Sequence, residues 1–343
     1  MRYRHTGAFV TLLLMAVISL PGSARSQSEI RHSNQNECPL SVPSPGMTES
    51  AVVAANARLE PARGDQKVTI GTNLVNVAVT VSDSYGRLVT GFANEHFEVF
   101  DNNVKQQIAH FSYDDAPLSL GIVYDVSGSM DKHIDRSLHA LKRFVETSHE
   151  DDDFFLITFN GRPRLVQNFT TSADELVSRL TLVRPDGATA LYDAVYLAVE
   201  KLREGRHQKK ALLIISDGQD NNSRYSFKEL RGLVREADVQ IYAIGTTGPM
   251  VGSLARYGHM VLDEITETSG GRAFFPDVRH EAELIETCTR IALELRHQYS
   301  IGFYPTDTAG GGKWHEIKLR VIAPKGSGRL RLSYRRGYQP FKK

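Results

Sequence analysis

The stretch that decides the fold is LSLGIVYDVSGSM, residues 118–130. It opens with an apolar run from Leu118 to Tyr124, which is typical of a β-strand buried on both faces. The run ends at Asp125, and Gly128 then permits a tight turn. Apolar residues at helical spacing follow the turn, at Ile134, Leu138, Leu141 and Val145. The stretch therefore predicts a buried strand that leads into an amphipathic helix.

The same alternation of strand and helix continues for about half of the chain. Further buried runs lie at residues 154–159, 211–216 and 239–244, with a shorter one at 272–275. A last amphipathic helix carries apolar residues at Leu284, Cys288, Ile291 and Leu295. This order predicts an α/β domain over residues 115–298, with a doubly wound, mainly parallel, Rossmann-like sheet. Ligands of such sheets bind at the carboxyl ends of the strands.

The segments on either side have a two-residue period, which is typical of half-buried antiparallel strands. Before the domain, Val75, Val77, Val79 and Val81 alternate with other residues, and after it Tyr299, Ile301 and Phe303 do the same. Neither end has enough strands to be stable alone. We therefore expect residues 66–114 and 299–343 to form one small antiparallel β-sandwich, into which the α/β domain is inserted.

The beginning of the chain has the pattern of a secretory signal peptide over residues 1–24, with basic residues, a short apolar run and small residues. A retained anchor is the alternative. Residues 25–65 are rich in Ser, Asn, Pro and Ala and predict a disordered linker. No other apolar run is long enough to span a membrane. The expected location is secreted, periplasmic or in the cell envelope.

Composition excludes several classes of protein. Among 343 residues, 41 Lys and Arg balance 40 Asp and Glu, so bulk charge does not favour nucleic acid as a partner. The only cysteines, Cys38 and Cys288, have neither a disulfide-framework nor a zinc-ligand spacing. Cys288 falls on an apolar helix stripe and is expected to be an inert buried thiol, although a bridge to Cys38 stays open. No pattern predicts an oligomeric state.

Oxygen-bearing side chains gather where the predicted strands end. Asp125, Ser127 and Ser129 follow the first buried strand, Thr189 precedes a helix, and Asp217 closes the strand at 211–216. Such hard oxygen ligands suit Mg²⁺, Mn²⁺ or Ca²⁺. A helix cap is the alternative for the Asp-x-Ser-x-Ser pattern alone, because Asp and Ser are favoured at helix starts.

These five residues, in this order, resemble the metal-ion-dependent adhesion site of von Willebrand factor type A (VWFA) domains. The resemblance implies that Ser127, Ser129 and Thr189 bind the ion directly or through water, while Asp125 and Asp217 act mainly through water. The β segments on either side of the α/β domain, including Gly337-Tyr338, resemble those of an acidobacterial-type group of secreted VWFA-related proteins.

The resemblance implies a non-enzymatic, metal-dependent adhesion module whose protein ligand presents an Asp or Glu carboxylate to the ion. Residues on the same face are candidates for contact with this partner, namely Gln219, Asp220, Asn221, Arg224 and Met250. One alternative is an envelope scaffold with a structural metal ion. Another is a Mg²⁺-dependent phosphohydrolase with Asp125 as nucleophile, but Ser127 stands where such enzymes need a second acid.

Overall fold

The computed structural model describes residues 74–113, 115–130, 134–247, 252–306, 313–323 and 328–340, all within one compact unit, Val68–Lys343. The predicted signal peptide and linker lie outside the described residues, as do Cys38 and Met250. Among the described helices, none combines the length and apolar character needed to cross a bilayer.

The strands are, in chain order, β1 (Val75–Ser82), β2 (Phe97–Asp101), β3 (Val104–Gln106), β4 (Ile108–Ser112), β5 (Leu118–Asp125), β6 (Asp153–Phe159), β7 (Pro163–Thr170), β8 (Lys209–Ser216), β9 (Gln240–Gly245), β10 (Ala273–Phe274), β11 (Tyr299–Phe303), β12 (His315–Val321), β13 (Arg331–Ser333) and β14 (Gly337–Tyr338). The α-helices are α1 (Ile134–Thr147), α2 (Ala173–Leu180), α3 (Leu191–Leu202), α4 (Phe227–Glu236), α5 (Ser253–Ser269) and α6 (Glu281–Arg296). Two 3₁₀ turns add Asn94–His96 and Gly128–Met130.

The central sheet has six strands in the order β10-β9-β8-β5-β6-β7. All neighbours pair in parallel except β6 and β7, so the predicted mainly parallel sheet is confirmed. Strand β7 was not predicted from the sequence, because it is an edge strand with many partly exposed residues and no continuous apolar run. It begins with Pro163. Proline has no N–H to donate to a neighbouring strand, and it is tolerated at the start of an edge strand because this donor is not needed there.

Helices cover both faces of this sheet, as predicted. The helices α1, α2 and α6 pack on one face, and α3, α4 and α5 pack on the other. Leu138 and Leu141 on α1 are buried in the first of these cores, whereas the side chain of Ile134 lies outside the described residues. Cys288 is also buried there, and burial raises the pKa of its thiol to about 12, as expected for an inert cysteine.

Two four-stranded sheets, β13-β1-β11-β4 and β14-β12-β2-β3, form the β-sandwich. Each combines strands from before and after the inserted domain, because β1 pairs with β11 and β2 pairs with β12. The side chains of Val77 and Val79 are fully buried between these sheets, together with Ile301 and Phe303. The predicted sandwich with an inserted α/β domain is therefore confirmed.

A buried ion cluster joins the inserted domain to the sandwich. Glu294 on α6 is 1% exposed and pairs with Arg272 at 3.1 Å and with Arg290 at 3.3 Å. Arg272 donates a hydrogen bond of 3.4 Å to the hydroxyl of Ser82 at the end of β1, and Arg290 donates to the carbonyl of Gly86. The cluster thus connects α6 and the β10 edge to the first strand of the sandwich.

Candidate metal centre

Four loops meet at the carboxyl edge of the central sheet. They are L1 (126–130) after β5, L2 (160–162) between β6 and β7, L3 (181–190) before α3, and L4 (217–226) after β8. The residues predicted as metal ligands lie at the end of β5 or in L1, L3 and L4. Because β5 and β8 are parallel neighbours, their ends bring L1 and L4 side by side.

Asp125 ends β5 and is completely buried. Its Oδ1 accepts the backbone N–H of Ser127 at 2.9 Å, and its Oδ2 accepts the hydroxyl of Ser216 at 2.7 Å. Burial and, to a smaller extent, the negative charge of Asp217 raise the pKa of Asp125 to about 6, although these hydrogen bonds favour the charged form. The site thus holds a carboxylate that a nearby positive charge would stabilise.

Two serine hydroxyls and a carboxylate form a chain of close oxygen atoms beside Asp125. The Oγ of Ser127 lies 3.1 Å from the Oγ of Ser129, which in turn donates to Oδ2 of Asp217 at 3.0 Å. Ser127 and Asp217 are buried. The structure therefore brings together residues from L1 and L4 that the sequence separates widely.

Thr189 lies in L3 and is 6% exposed. The Gly128 N–H of L1 donates to the Gly187 carbonyl of L3 at 3.4 Å, so these two loops touch. The N–H of Thr189 donates to Oδ1 of Asn221 at 2.8 Å, and its carbonyl accepts the N–H of Asn221 at 3.0 Å. Thr189 is therefore held between L1 and L4.

Helix α5 packs directly on the start of L4, where two glycines leave room. A Cβ at Gly258 would lie 2.1 Å from the carbonyl oxygen of Asp217, and one at Gly218 would lie 2.3 Å from the carbonyl oxygen of Gly258. Gly218 also has φ of +77°, a left-handed conformation that favours glycine. The backbone of Asp217 and Gly218, at the end of β8, is thus packed tightly against Gly258 of α5.

The donor set fits a hard dication. Oxygen atoms that occupy neighbouring corners of a magnesium octahedron are about 3.0 Å apart, since Mg–O distances are about 2.1 Å. The Ser127–Ser129 and Ser129–Asp217 oxygen pairs, at 3.1 and 3.0 Å, have this spacing. No group of three or more His, Cys, Asp or Glu side chains in the described part of the chain is arranged to hold a metal, so the hydroxyl-rich set is the candidate.

Two of the predicted partner-contact residues support the site from inside L4. Gln219 donates its N–H to Oδ1 of Asp217 at 3.0 Å and its amide to Oδ2 at 3.2 Å. Asn221 accepts the N–H of Thr189 with its side-chain oxygen. Contact of either side chain with a partner stays a prediction.

Two others connect L4 to the start of α3. Asp220 accepts the N–H of Tyr192 at 2.9 Å, which satisfies an N–H that the helix leaves unpaired. Arg224 pairs with Asp193 at 3.0 Å while its side chain remains 83% exposed. Met250, the fifth candidate, lies outside the described residues.

Two contributors to this edge of the sheet, Ser216 and loop L2, were not predicted from the sequence. Ser216 directly precedes Asp217, and its hydroxyl also accepts the Gly218 N–H at 3.1 Å; a serine at a strand end beside an Asp was the available signal. Loop L2 was missed because β7 was missed. The Asn160 carbonyl accepts the Ala190 N–H at 2.7 Å, so L2 lies against L3.

Comparison with solved structures gives similarity in fold over about half of the chain. An aerotolerance-related membrane protein from Bacteroides fragilis is 18% identical, with 52% of this chain and 98% of that chain covered and a TM-score of 0.43. The PilB minor pilin from Streptococcus sanguinis is 17% identical, with 53% and 61% covered and a TM-score of 0.43. Proximal thread matrix protein 1 from the mussel byssus, with a zinc-occupied MIDAS motif, is 19% identical, with 57% and 49% covered and a TM-score of 0.45.

A search of curated proteins gave no significant match. The family model of the von Willebrand factor type A domain matches residues 120–219, which include most of β5, all of L1 and L3, and the start of L4. The match does not reach the β-sandwich, so the resemblance to secreted VWFA-related proteins stays a prediction. The family resemblance predicted from the sequence is confirmed for residues 120–219, which match the von Willebrand factor type A domain.

Proposed function

We propose that this protein is a non-enzymatic, divalent-metal-dependent module for binding another protein. The observation that carries this proposal is the chain of oxygen atoms from Ser127 through Ser129 to Asp217, with spacings of 3.1 and 3.0 Å. Thr189 and Asp125 complete the proposed ligand set. When bound, Mg²⁺, Mn²⁺ or Ca²⁺ would supply a positive centre able to accept a carboxylate oxygen.

The chain's own residues prepare the site for such an ion. Asp125 and Asp217 together balance the two charges of a dication, but on this proposal they act mainly through water. The oxygens bound directly to the ion are then neutral hydroxyls, which favours one more, anionic, oxygen from outside. The Ser127 N–H and the Ser216 hydroxyl hold Asp125 in place. This charge balance is the reason for proposing that the partner presents an Asp or Glu.

The proposed absence of enzymatic activity rests on the same residues. An aspartyl nucleophile needs an acid or base near it to protonate the leaving group. Two residues after Asp125, the chain has Ser127, and the buried Asp125 has both carboxylate oxygens engaged in hydrogen bonds.

We also propose that the protein works outside the cytoplasm, as a secreted, periplasmic or envelope protein. The support is the signal-peptide pattern in residues 1–24, followed by the linker pattern in residues 25–65. On this proposal the α/β domain at 115–298 and the sandwich segments at 66–114 and 299–343 form the mature, folded part.

Isothermal titration with Mg²⁺, Mn²⁺ and Ca²⁺ tests the metal site. We expect binding by the wild type and by the control Ser178→Ala, whose serine lies on the exposed side of α2, and loss of binding in Ser127→Ala and Ser129→Ala. Equal binding by all variants would show that the site is wrong.

Capture of partner proteins from the source envelope, with Mg²⁺, with Mn²⁺ and with chelator, then tests what the metal does. Capture that needs both the metal and Ser127 supports the adhesion role. Capture that persists in chelator, with a lowered melting temperature, supports the alternative of a scaffold with a structural ion.

A further inference from the structure

Helix α5 carries exposed apolar side chains beside the candidate metal centre. Leu254 is 67% exposed and Tyr257 is 45% exposed. Both precede Gly258, the residue that rests on Asp217 and Gly218. Isolated exposed apolar residues are ordinary, so the position of this pair matters more than its exposure.

Helix geometry places Leu254 above the sheet edge. Residues four apart lie on the same face of a helix, about 6 Å apart along its axis. Leu254 is therefore one turn before Gly258 on the face that meets Asp217, whereas Val261 and Ile265 further along are buried against the sheet. Leu254 extends past the point where the sheet ends, on the side of the metal ligands.

Tyr257 links this apolar surface to the start of α3. Burial raises the pKa of Tyr192, three residues after Thr189, and the side chain of Tyr257 is close enough to raise it as well, to a smaller extent. Tyr192 in turn packs against Phe227 at the start of α4, with ring centroids 5.8 Å apart. Tyr257 therefore lies beside the start of α3, at the border of the site.

The opposite border of the site is polar and basic. The carbonyl of Gly161 in L2 accepts a hydrogen bond of 2.6 Å from the side-chain amide of Asn222 in L4. Arg162, which follows Gly161 in L2, is exposed. An acidic segment therefore has charge complementarity with one border, and an apolar side chain has a complementary surface on the other.

We infer that Leu254 and Tyr257 are the docking point for a bulky apolar side chain that the partner carries next to its metal-directed carboxylate. The inference rests on the proposed function, because the carboxylate sets where the partner lies. Successive residues of an extended segment are about 3.3 Å apart. The apolar residue should therefore fall within one or two positions of the Asp or Glu.

Selection from a library of random linear peptides tests this inference. The full protein is immobilised in Mg²⁺, and bound peptides are eluted with chelator, which recovers only metal-dependent binders. The variants are Leu254→Ser and a matched control, Met260→Ser. Met260 lies on the same helix and is 50% exposed, but it follows Leu254 by six residues, which places it about 9 Å further along the helix axis and about 120° around it, away from the metal ligands.

We expect the wild type and Met260→Ser to select peptides with Asp or Glu and a neighbouring Leu, Ile, Phe or Tyr. Leu254→Ser should select the acidic residue without the apolar one. A single selected peptide, followed by fluorescence anisotropy, should bind Leu254→Ser about tenfold more weakly than the wild type and bind the control equally well.

Three results would overturn the inference. If the wild type selects peptides that contain Asp or Glu but show no preference for a neighbouring apolar residue, Leu254 and Tyr257 are not a docking point, and the proposed function still stands. No peptide eluted by chelator would overturn both. A wild-type dimer that becomes monomeric in Leu254→Ser would mean that a second copy of the chain covers this face.

Discussion

The hydroxyl of Ser129 donates a hydrogen bond of 3.0 Å to Oδ2 of Asp217, a residue 88 positions later in the chain. This contact joins L1 to L4 at the ends of two neighbouring parallel strands, and both of its residues are proposed ligands of the metal ion. The same two loops also place the carboxylate of Asp217 near enough to Asp125 to raise the pKa of Asp125. The site thus combines close oxygen atoms with a repulsion that a cation would relieve.

Asp217→Asn should have different effects with and without metal. In chelator, the substitution removes the repulsion with Asp125, but it also replaces an oxygen that accepts hydrogen bonds from Ser129 or Gln219 with a donating amide group. These effects oppose each other, so the free energy of unfolding should change little. In Mg²⁺ at 100 times its dissociation constant, the wild type should gain about 2.7 kcal/mol, and the variant should lose most of that gain.

Urea unfolding in both buffers measures this difference. Asp220→Asn is the matched control, because Asp220 caps α3 and lies outside the proposed ligand set. An equal loss of stability in the two buffers would mean that Asp217 is a structural residue only.

Gly258→Ala should destabilise the protein and weaken metal binding together. The added Cβ would lie 2.1 Å from the Asp217 carbonyl oxygen, so either α5 or L4 must shift. Overpacking of this kind costs about 1–3 kcal/mol or more. Gly232→Ala on α4 is the control, since its Cβ would meet no atom within 4 Å and alanine is the better helix former.

Thermal unfolding and titration with Mg²⁺ measure both effects of the Gly258 substitution. A variant that is destabilised but binds the ion with unchanged affinity would show that the close packing of Gly258 on Asp217 is not needed for metal binding.

Lys209→Met should change how stability depends on pH. Burial lowers the pKa of Lys209 to about 8, so the folded protein releases this proton more readily than the unfolded chain, whose value is 10.5. The contribution of this group to stability therefore falls as pH drops from about 10.5 to about 8, by at most about 3 kcal/mol. Methionine carries no charge, so the variant should lose this dependence.

Denaturant unfolding at pH 7.5 and pH 10 compares Lys209→Met with the wild type. Relative to the wild type, the variant should be more stable at the lower pH than at the higher one. Lys210→Met, at the next position of β8, is the control. The same difference in stability at both pH values would contradict the assignment.

Glu294→Ala should loosen the connection between the α/β domain and the sandwich. Glu294 is 1% exposed and pairs with both Arg272 and Arg290, so its removal leaves two partly buried charges without this carboxylate. Breaking a buried ion cluster in this way costs about 3–5 kcal/mol. The exposed Glu286 on the same helix gives the control variant Glu286→Ala.

Calorimetry of the Glu294 variant measures the stability loss and shows whether the protein still unfolds in one transition. A loss no greater than in Glu286→Ala would mean that the cluster contributes little to holding the two parts together.

Residue pattern alone determined the architecture. The uninterrupted apolar run at residues 118–124 and the alternation at Val75 to Val81 reflect the number of faces each strand buries, and this is a local property of the sequence. Four of the five oxygen side chains were also predicted from their places after strand ends, because parallel strands end at a common edge, and Thr189 was predicted from its place just before a helix. The edge strand β7 escaped detection because its partly exposed residues make no continuous apolar run.

Only the tertiary structure decided which of these residues touch. The contact of Gly258 with Asp217, the hydrogen bond from Ser216 to Asp125, and the position of Leu254 beside the site all join segments distant in sequence. No local pattern encodes such distances, because they depend on how α5 packs on the sheet. The sequence by itself thus determined the chemistry available at the strand ends, and packing decided the geometry in which that chemistry is presented.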